Sequence, residues 1–111
     1  MKVYNENGQV LFPIVHSMTT FFQRLLGVSR LDNIADTDAY FFDKCSSVHM
    51  FGVRATIDVI FLDKNTTVTK IARSLRPWRA AGAWGARSVL EVADGMSQRL
   101  DIQVGQTLII K

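Results

Sequence analysis

The chain has 111 residues, 48% of them hydrophobic and 21% charged, with a formal net charge of +3. That length suits one domain and excludes a second core, and the apolar fraction excludes a disordered chain. The single cysteine, Cys45, excludes an internal disulfide framework and fits a reducing compartment.

Taken in chain order, residues 2–4 and 9–15 are extended stretches around Asn5-Glu6-Asn7-Gly8. Asn-Gly tolerates positive φ and predicts a hairpin there. Over residues 17–26, Phe21, Phe22, Leu25 and Leu26 recur at helical spacing. Ser17, Thr19 and Thr20 are candidate caps and Gly27 is a stop, so a short amphipathic helix is expected. Residues 30–37 read as loop, and residues 39–42 and 47–51 are short apolar runs. Residues 57–62 read Ile-Asp-Val-Ile-Phe-Leu, a buried strand. Its alternation puts Asp58 and Ile60 on one face and Ile57, Val59 and Phe61 on the other. Asp63-Lys64-Asn65 turns the chain into a second arm over residues 67–71.

Residues 75–85 have no sustained period and carry Pro77, Trp78, Gly82, Trp84 and Gly85. An ordered loop of that length points to function rather than mere connection. Residues 87–92 read as a strand, Asp94 as the cap of a helix running through Leu100, and residues 107–110 as the last strand. The expected fold class is α+β: a mainly-β, compact, barrel-like antiparallel or mixed sheet of about seven or eight short strands with two short helices. Residues 1–111 are expected to form a single domain.

No apolar run approaches the roughly 18 residues that span a bilayer. The start, Met-Lys-Val-Tyr-Asn-Glu-Asn-Gly, has no apolar signal core, so a cytoplasmic protein is expected. Charge is unevenly spread. Residues 64–90 hold Lys64, Lys70, Arg73, Arg76, Arg79 and Arg87 with no acid, whereas residues 32–43 hold Asp32, Asp36, Asp38 and Asp43. Such asymmetry serves polyanion binding or docking against a partner or a second copy.

The polar groups to weigh are His49, Arg54, Asp58, Asp63, Trp78, Arg79, Arg87 and Glu91. Asp58 interrupts an apolar strand, and a buried carboxylate must be paired or hydrogen-bonded. One reading is a clamp from Asp58 to Arg54, Arg76, Arg79 or Arg87 that pins the loop to the sheet. The other is a polar pocket lined by His49, Arg54 and Asp58 under Trp78, with Arg79 beside it, which would serve a small-molecule binder or an enzyme. His16, His49 and Cys45 are badly spaced for zinc, so neither metal nor cofactor is expected. Cys45 and His49 lie four residues apart. At about 3.3 Å per residue of strand they are too distant for a nucleophile–base pair. Phosphate loop, dinucleotide fingerprint and nucleophile elbow are all missing. Trp78 and Trp84 among the arginines suggest stacking on single-stranded nucleic acid. The modest net charge instead favours one Trp in the core and a solvated arginine rim.

Four separated blocks then occur in order: Cys45-Ser46-Ser47-Val48-His49, the Ile57 to Asp63 strand, Leu75-Arg76-Pro77-Trp78-Arg79, and Ala86-Arg87-Ser88-Val89-Leu90-Glu91. This pattern resembles the bacterial and archaeal family known as domain of unknown function 192. Leu25-Leu26-Gly27 and Ile102 through Gln106 extend the resemblance over most of the chain. Val53 and Gln106 depart from it, standing where Met and Asp are usual. The resemblance implies a mainly-β fold with short helices and supplies no activity. The combined reading is a small, non-enzymatic binding or accessory module. Its small-molecule or protein partner would sit near residues 75–85 and 48–58, and nucleic acid is the weaker expectation.

Overall fold

The β-branched and aromatic runs of the sequence become strands, and tertiary pairing adds others that propensity does not mark. The computed structural model describes residues 1–18, 34–50 and 54–111, the side chain of His49 apart. Among these residues the elements are β1 Val3–Tyr4, β2 Val10–Phe12, β3 Ile14–Ser17, β4 Asp38–Asp43, β5 Ser47–His49, β6 Ile57–Leu62, β7 Val68–Leu75, β8 Ala80–Gly82, β9 Ser88–Ala93, α1 Met96–Arg99 and β10 Ile109–Ile110. The protein is thus mainly β. The helix expected over residues 17–26 falls largely on residues 19–33, outside the described residues.

The strands form a five-stranded sheet in the order β3-β4-β9-β6-β7, a three-stranded sheet β10-β1-β2 and a two-stranded ribbon β5-β8. The large sheet is mixed: β3 runs parallel to β4, and the other pairs are antiparallel. The expected barrel-like closure is not found among these strands. Closure needs unbroken pairing around the whole circuit, and here β3 and β7 remain the edges. The start of β7 instead reaches the smaller sheet, where the Val68 N–H donates to Gln106 O and Thr67 bridges Thr107.

Two differences from the sequence reading shape the site. Residues 75–85 are not all loop, since β7 runs on to Leu75 and Ala80–Gly82 form β8 against β5. The C-terminal helix is shorter than expected and is not capped by Asp94. Gly95 is its N-cap, at φ 84, and makes no side-chain cap bond. Asp94 instead accepts a hydrogen bond from the Ser74 hydroxyl.

Every residue of β6 and β9 is buried, and each fully buried Val, Leu, Ile or Phe side chain contributes about 1.5–3 kcal/mol. Both faces of the sheet are therefore covered. Asp58, Ile60 and Leu62 share one face with Leu90, Val92 and Ala39, by register, and α1 packs there. Ile57, Val59 and Phe61 share the other with Val89, Glu91, Tyr40 and Phe42. Lys70, in register with Phe61, rises on this second face. Its ammonium stands 5.8 Å from the Phe61 ring centre and donates to Gly82 O at 2.7 Å. Lys70 thus ties the second face to the β5–β8 ribbon; Val48 of β5 and the following Met50 are in the core, and Ala81 of β8 packs against it. No described helix is long and apolar enough to cross a membrane.

Candidate functional site

Asp58 is fully buried, and its carboxylate receives three donors. The Ser74 N–H donates to Oδ1 at 2.9 Å, and the Ser97 N–H and hydroxyl donate to Oδ2 at 3.0 and 2.6 Å. The bond from Ser74 depends on a bulge. The pairings Ile57↔Leu75 and Val59↔Ala72 leave one extra residue on β7, and Ser74 adopts φ 52 there. The bonds from Ser97 cap α1 from a distance, because Ser97 sits in its first turn. Arg73 closes the node, donating to Ser97 Oγ and Ile102 O, both at 3.3 Å. None of Arg54, Arg76, Arg79 or Arg87 is among the donors to Asp58, so the expected arginine clamp is replaced by serines and backbone N–H groups.

Of the other sequence candidates, His49 and the Trp78–Arg79 turn belong to the β5–β8 ribbon, to which Lys70 reaches from the face opposite Asp58. His49 pairs with Ala80 in the β5–β8 ladder. The Met50 N–H donates to Arg79 O at 2.8 Å, and the Trp78 N–H to Met50 O at 2.9 Å. These bonds tie the Arg76–Pro77–Trp78–Arg79 turn to the end of β5. Arg54 and Arg79 are exposed. Trp78 is 67% exposed and Trp84 103%, so neither indole is in the core. Trp78 also holds φ 68, a left-handed conformation that costs a non-glycine residue roughly 1–2 kcal/mol. Cys45 is half-buried, and its Sγ donates to Ser47 O at 3.1 Å. Among the described residues no group of three or more His, Cys, Asp and Glu side chains gathers to hold a metal ion.

A second polar array runs across three neighbouring strands. His16 on β3 is in register with Tyr40 on β4, and Tyr40 with Glu91 on β9. The His16 and Tyr40 rings stack at 4.6 Å. His16 Nε2 lies 2.8 Å from Asp38 Oδ2, and the Thr37 hydroxyl donates to Asp38 Oδ1 at 2.7 Å. The His16 bond holds the Asp38 carboxyl below its ordinary range, against the opposing effect of partial burial. Partial burial, and then the charge of Asp38, push the Tyr40 phenol up. Glu91 is only 5% exposed. Its Oε2 is the one buried side-chain oxygen or nitrogen among the described residues without a hydrogen-bond partner. Burial raises this carboxyl to about 7. Sequence reasoning weighed Glu91 without placing it at a site. The available signal was an acid inside Ser88–Ala93, a strand otherwise of small and apolar residues.

Comparison with known proteins agrees with this architecture. The DUF192 family model, described as an uncharacterised ACR, matches residues 3–110. A UPF0127 protein of Thermococcus sibiricus is 29% identical over 113 residues, spanning 97% of this chain and 73% of the relative. A protein of unknown function from Novosphingobium aromaticivorans superposes with a TM-score of 0.80 at 21% identity, covering 98% of this chain and 82% of that one. A Sinorhizobium meliloti protein, provisionally described as a transcription regulator, gives 0.82 at 19% identity, covering 97% of this chain and 89% of that one. At such identities the two structures share the fold.

Proposed function

The chain belongs to the DUF192 family, a family of unknown function, and from that premise we propose that it is a small non-enzymatic binding module acting through its 75–85 segment. Trp78 and Arg79 make the principal contacts, with Trp84 beside them. His49 and Arg54, from the adjoining chain, border that surface, and Asp58 holds the scaffold behind it. The module is one folding unit over residues 1–111, and its lone thiol accords with a reducing, cytoplasmic setting.

The observation that carries this reading is Trp78. An indole 67% exposed at φ 68 is unfavourable twice over, in solvation and in backbone conformation. Strain of this kind collects at functional positions, and Trp and Arg are the residues that most often anchor an interface. The partner offers an apolar or aromatic surface to the indoles and a carboxylate or phosphate to Arg79.

Both tryptophans of the chain lie in this segment, so tryptophan emission, excited selectively over tyrosine, reports on it alone. A panel of nucleotides, sugars, acidic peptides and short oligonucleotides should contain a binder that shifts the emission, and the Trp78→Ala change should abolish its binding. A binder retained at full affinity by the Trp78→Ala, Trp84→Ala double variant would overturn the reading.

Single-stranded nucleic acid is favoured by one observation, that both indoles are exposed within a segment free of acids. The charges point the other way. Lys70 and Arg73 are turned to Gly82 O, Ser97 and Ile102 O, and Arg87 lies 3.9 Å from Asp43. Binding to oligonucleotides should fall steeply with salt and vanish in the Arg76→Glu, Arg79→Glu variant if this second reading holds.

A further inference from the structure

Glu91 stands in the middle of the large sheet, on the face from which Lys70 reaches the β5–β8 ribbon. A buried polar atom without a partner requires an explanation, because nothing replaces the hydrogen bonds it would make to water. Among the described residues its neighbours by register offer no cation. In register with it are Tyr40 on β4 and Val59 on β6, with Ala72 beyond on β7. Asp38, two residues before Tyr40, is turned to His16. Val89 and Ala93 flank Glu91 on β9, and Lys70, on the same face, is held by Gly82 O of the ribbon. Arg54 and Arg79 are exposed.

The ribbon is the layer best able to respond. Two strands alone are marginally stable, and β5–β8 forms a sheet of its own rather than extending the large one. The described hydrogen bonds that join it to the large sheet run at its margins, from the Cys45 N–H to Arg87 O and from Lys70 Nζ to Gly82 O. The same ribbon carries the Trp78 turn through the bonds between Met50, Trp78 and Arg79.

We propose that Glu91 is a proton-controlled latch for this ribbon, and hence a regulator of the Trp78 surface. With the carboxyl neutral, the ribbon lies closed over the sheet. Ionisation creates a charge with no described partner, and the ribbon lifts to let water reach it. This rests on the reading of residues 75–85 as the binding segment, since only then does the latch regulate binding. Burial places the switch near neutral pH, where Glu91 titrates at about 7.

The experiment is amide hydrogen exchange on the intact chain without any partner, read as protection factors corrected for the intrinsic effect of pH. From about pH 6 to about pH 8, protection at Met50, Trp78 and Ala83 should fall roughly tenfold, while Ile60 and Leu90 stay protected. The fall should persist in His16→Gln and disappear in Glu91→Gln. Equal falls in the wild type and Glu91→Gln would overturn the latch, as would none in the wild type. Carbon-13 titration of the wild-type Glu91 carboxyl is a second test that needs no variant: a midpoint near 7 supports the latch, and one in the ordinary carboxylate range sinks it. Loss of the Trp78 binding reading would leave these exchange results standing as a property of the fold.

Discussion

Asp58 and Glu91 are both buried acids in central strands, and their surroundings differ in one respect. Asp58 has three donors and Glu91 has an oxygen with none. Removing Asp58 leaves three donors stranded in the interior, so Asp58→Ala should cost about 3 kcal/mol or more, read by urea unfolding. A cost below about 1 kcal/mol would mean that the node is dispensable. Glu91 should behave oppositely. Its folded value of about 7 exceeds its ordinary 4.5, so the native state binds the extra proton between those limits. Stability therefore falls as pH rises through that window and levels off above it. Glu91→Gln should remove this slope and raise stability at pH 8 by up to about 3 kcal/mol, with little gain at pH 4. Unfolding at the two pH values would find no such difference if the carboxyl titrates normally.

The elements show where local sequence decides structure and where it does not. Ile57–Leu62 forms a strand over the span its composition predicts, because β-branched and aromatic residues suit a sheet covered on both faces. Ala80–Gly82 has no such preference and is a strand only because β5 lies alongside, a tertiary effect that no local pattern reveals. The second half of β7 was hidden by Arg73 and Ser74, whose polarity serves the bulge and the Asp58 node. Asp94 had the residue type for a cap, but Ser74 takes its carboxylate and Asp58 caps the helix from β6. Gly95, at φ 84, makes the turn into α1 possible. Gly95→Ala should lower the unfolding free energy by about 1 kcal/mol, measurable as a lower Tm. An unchanged Tm would show that the turn relaxes freely.

At the scale of the whole molecule, the candidate residues are divided by the sheet itself. The sequence placed Asp58 correctly on the face opposite Val59, but alternation alone does not say which face a distant ribbon will cover. His16 and Glu91 could not be joined from sequence, because the row that contains them exists only through the order β3-β4-β9. The exposure of both tryptophans was likewise illegible, since a large aromatic residue is more often buried than not. The strain at Trp78 gives this scale its own test. Trp78→Gly should stabilise the protein by as much as about 1 kcal/mol while destroying the binding surface. If stability drops instead, the indole is part of the structure rather than an anchor for a partner.

The pairing of β1 with β10 continues one step outward, where Lys2 and Lys111 exchange both backbone hydrogen bonds, at 2.7 and 3.1 Å. Residues 2 and 111 therefore meet as neighbours on one ladder. A few glycines would bridge them, and the ring so formed could be reopened at the exposed Lys64–Asn65 turn to give a circular permutant with the same sheets. In the present residue order that ladder is a long-range closure. Joining the ends would make it local and the β6–β7 hairpin distant, exchanging which pairing the folding chain has to wait for.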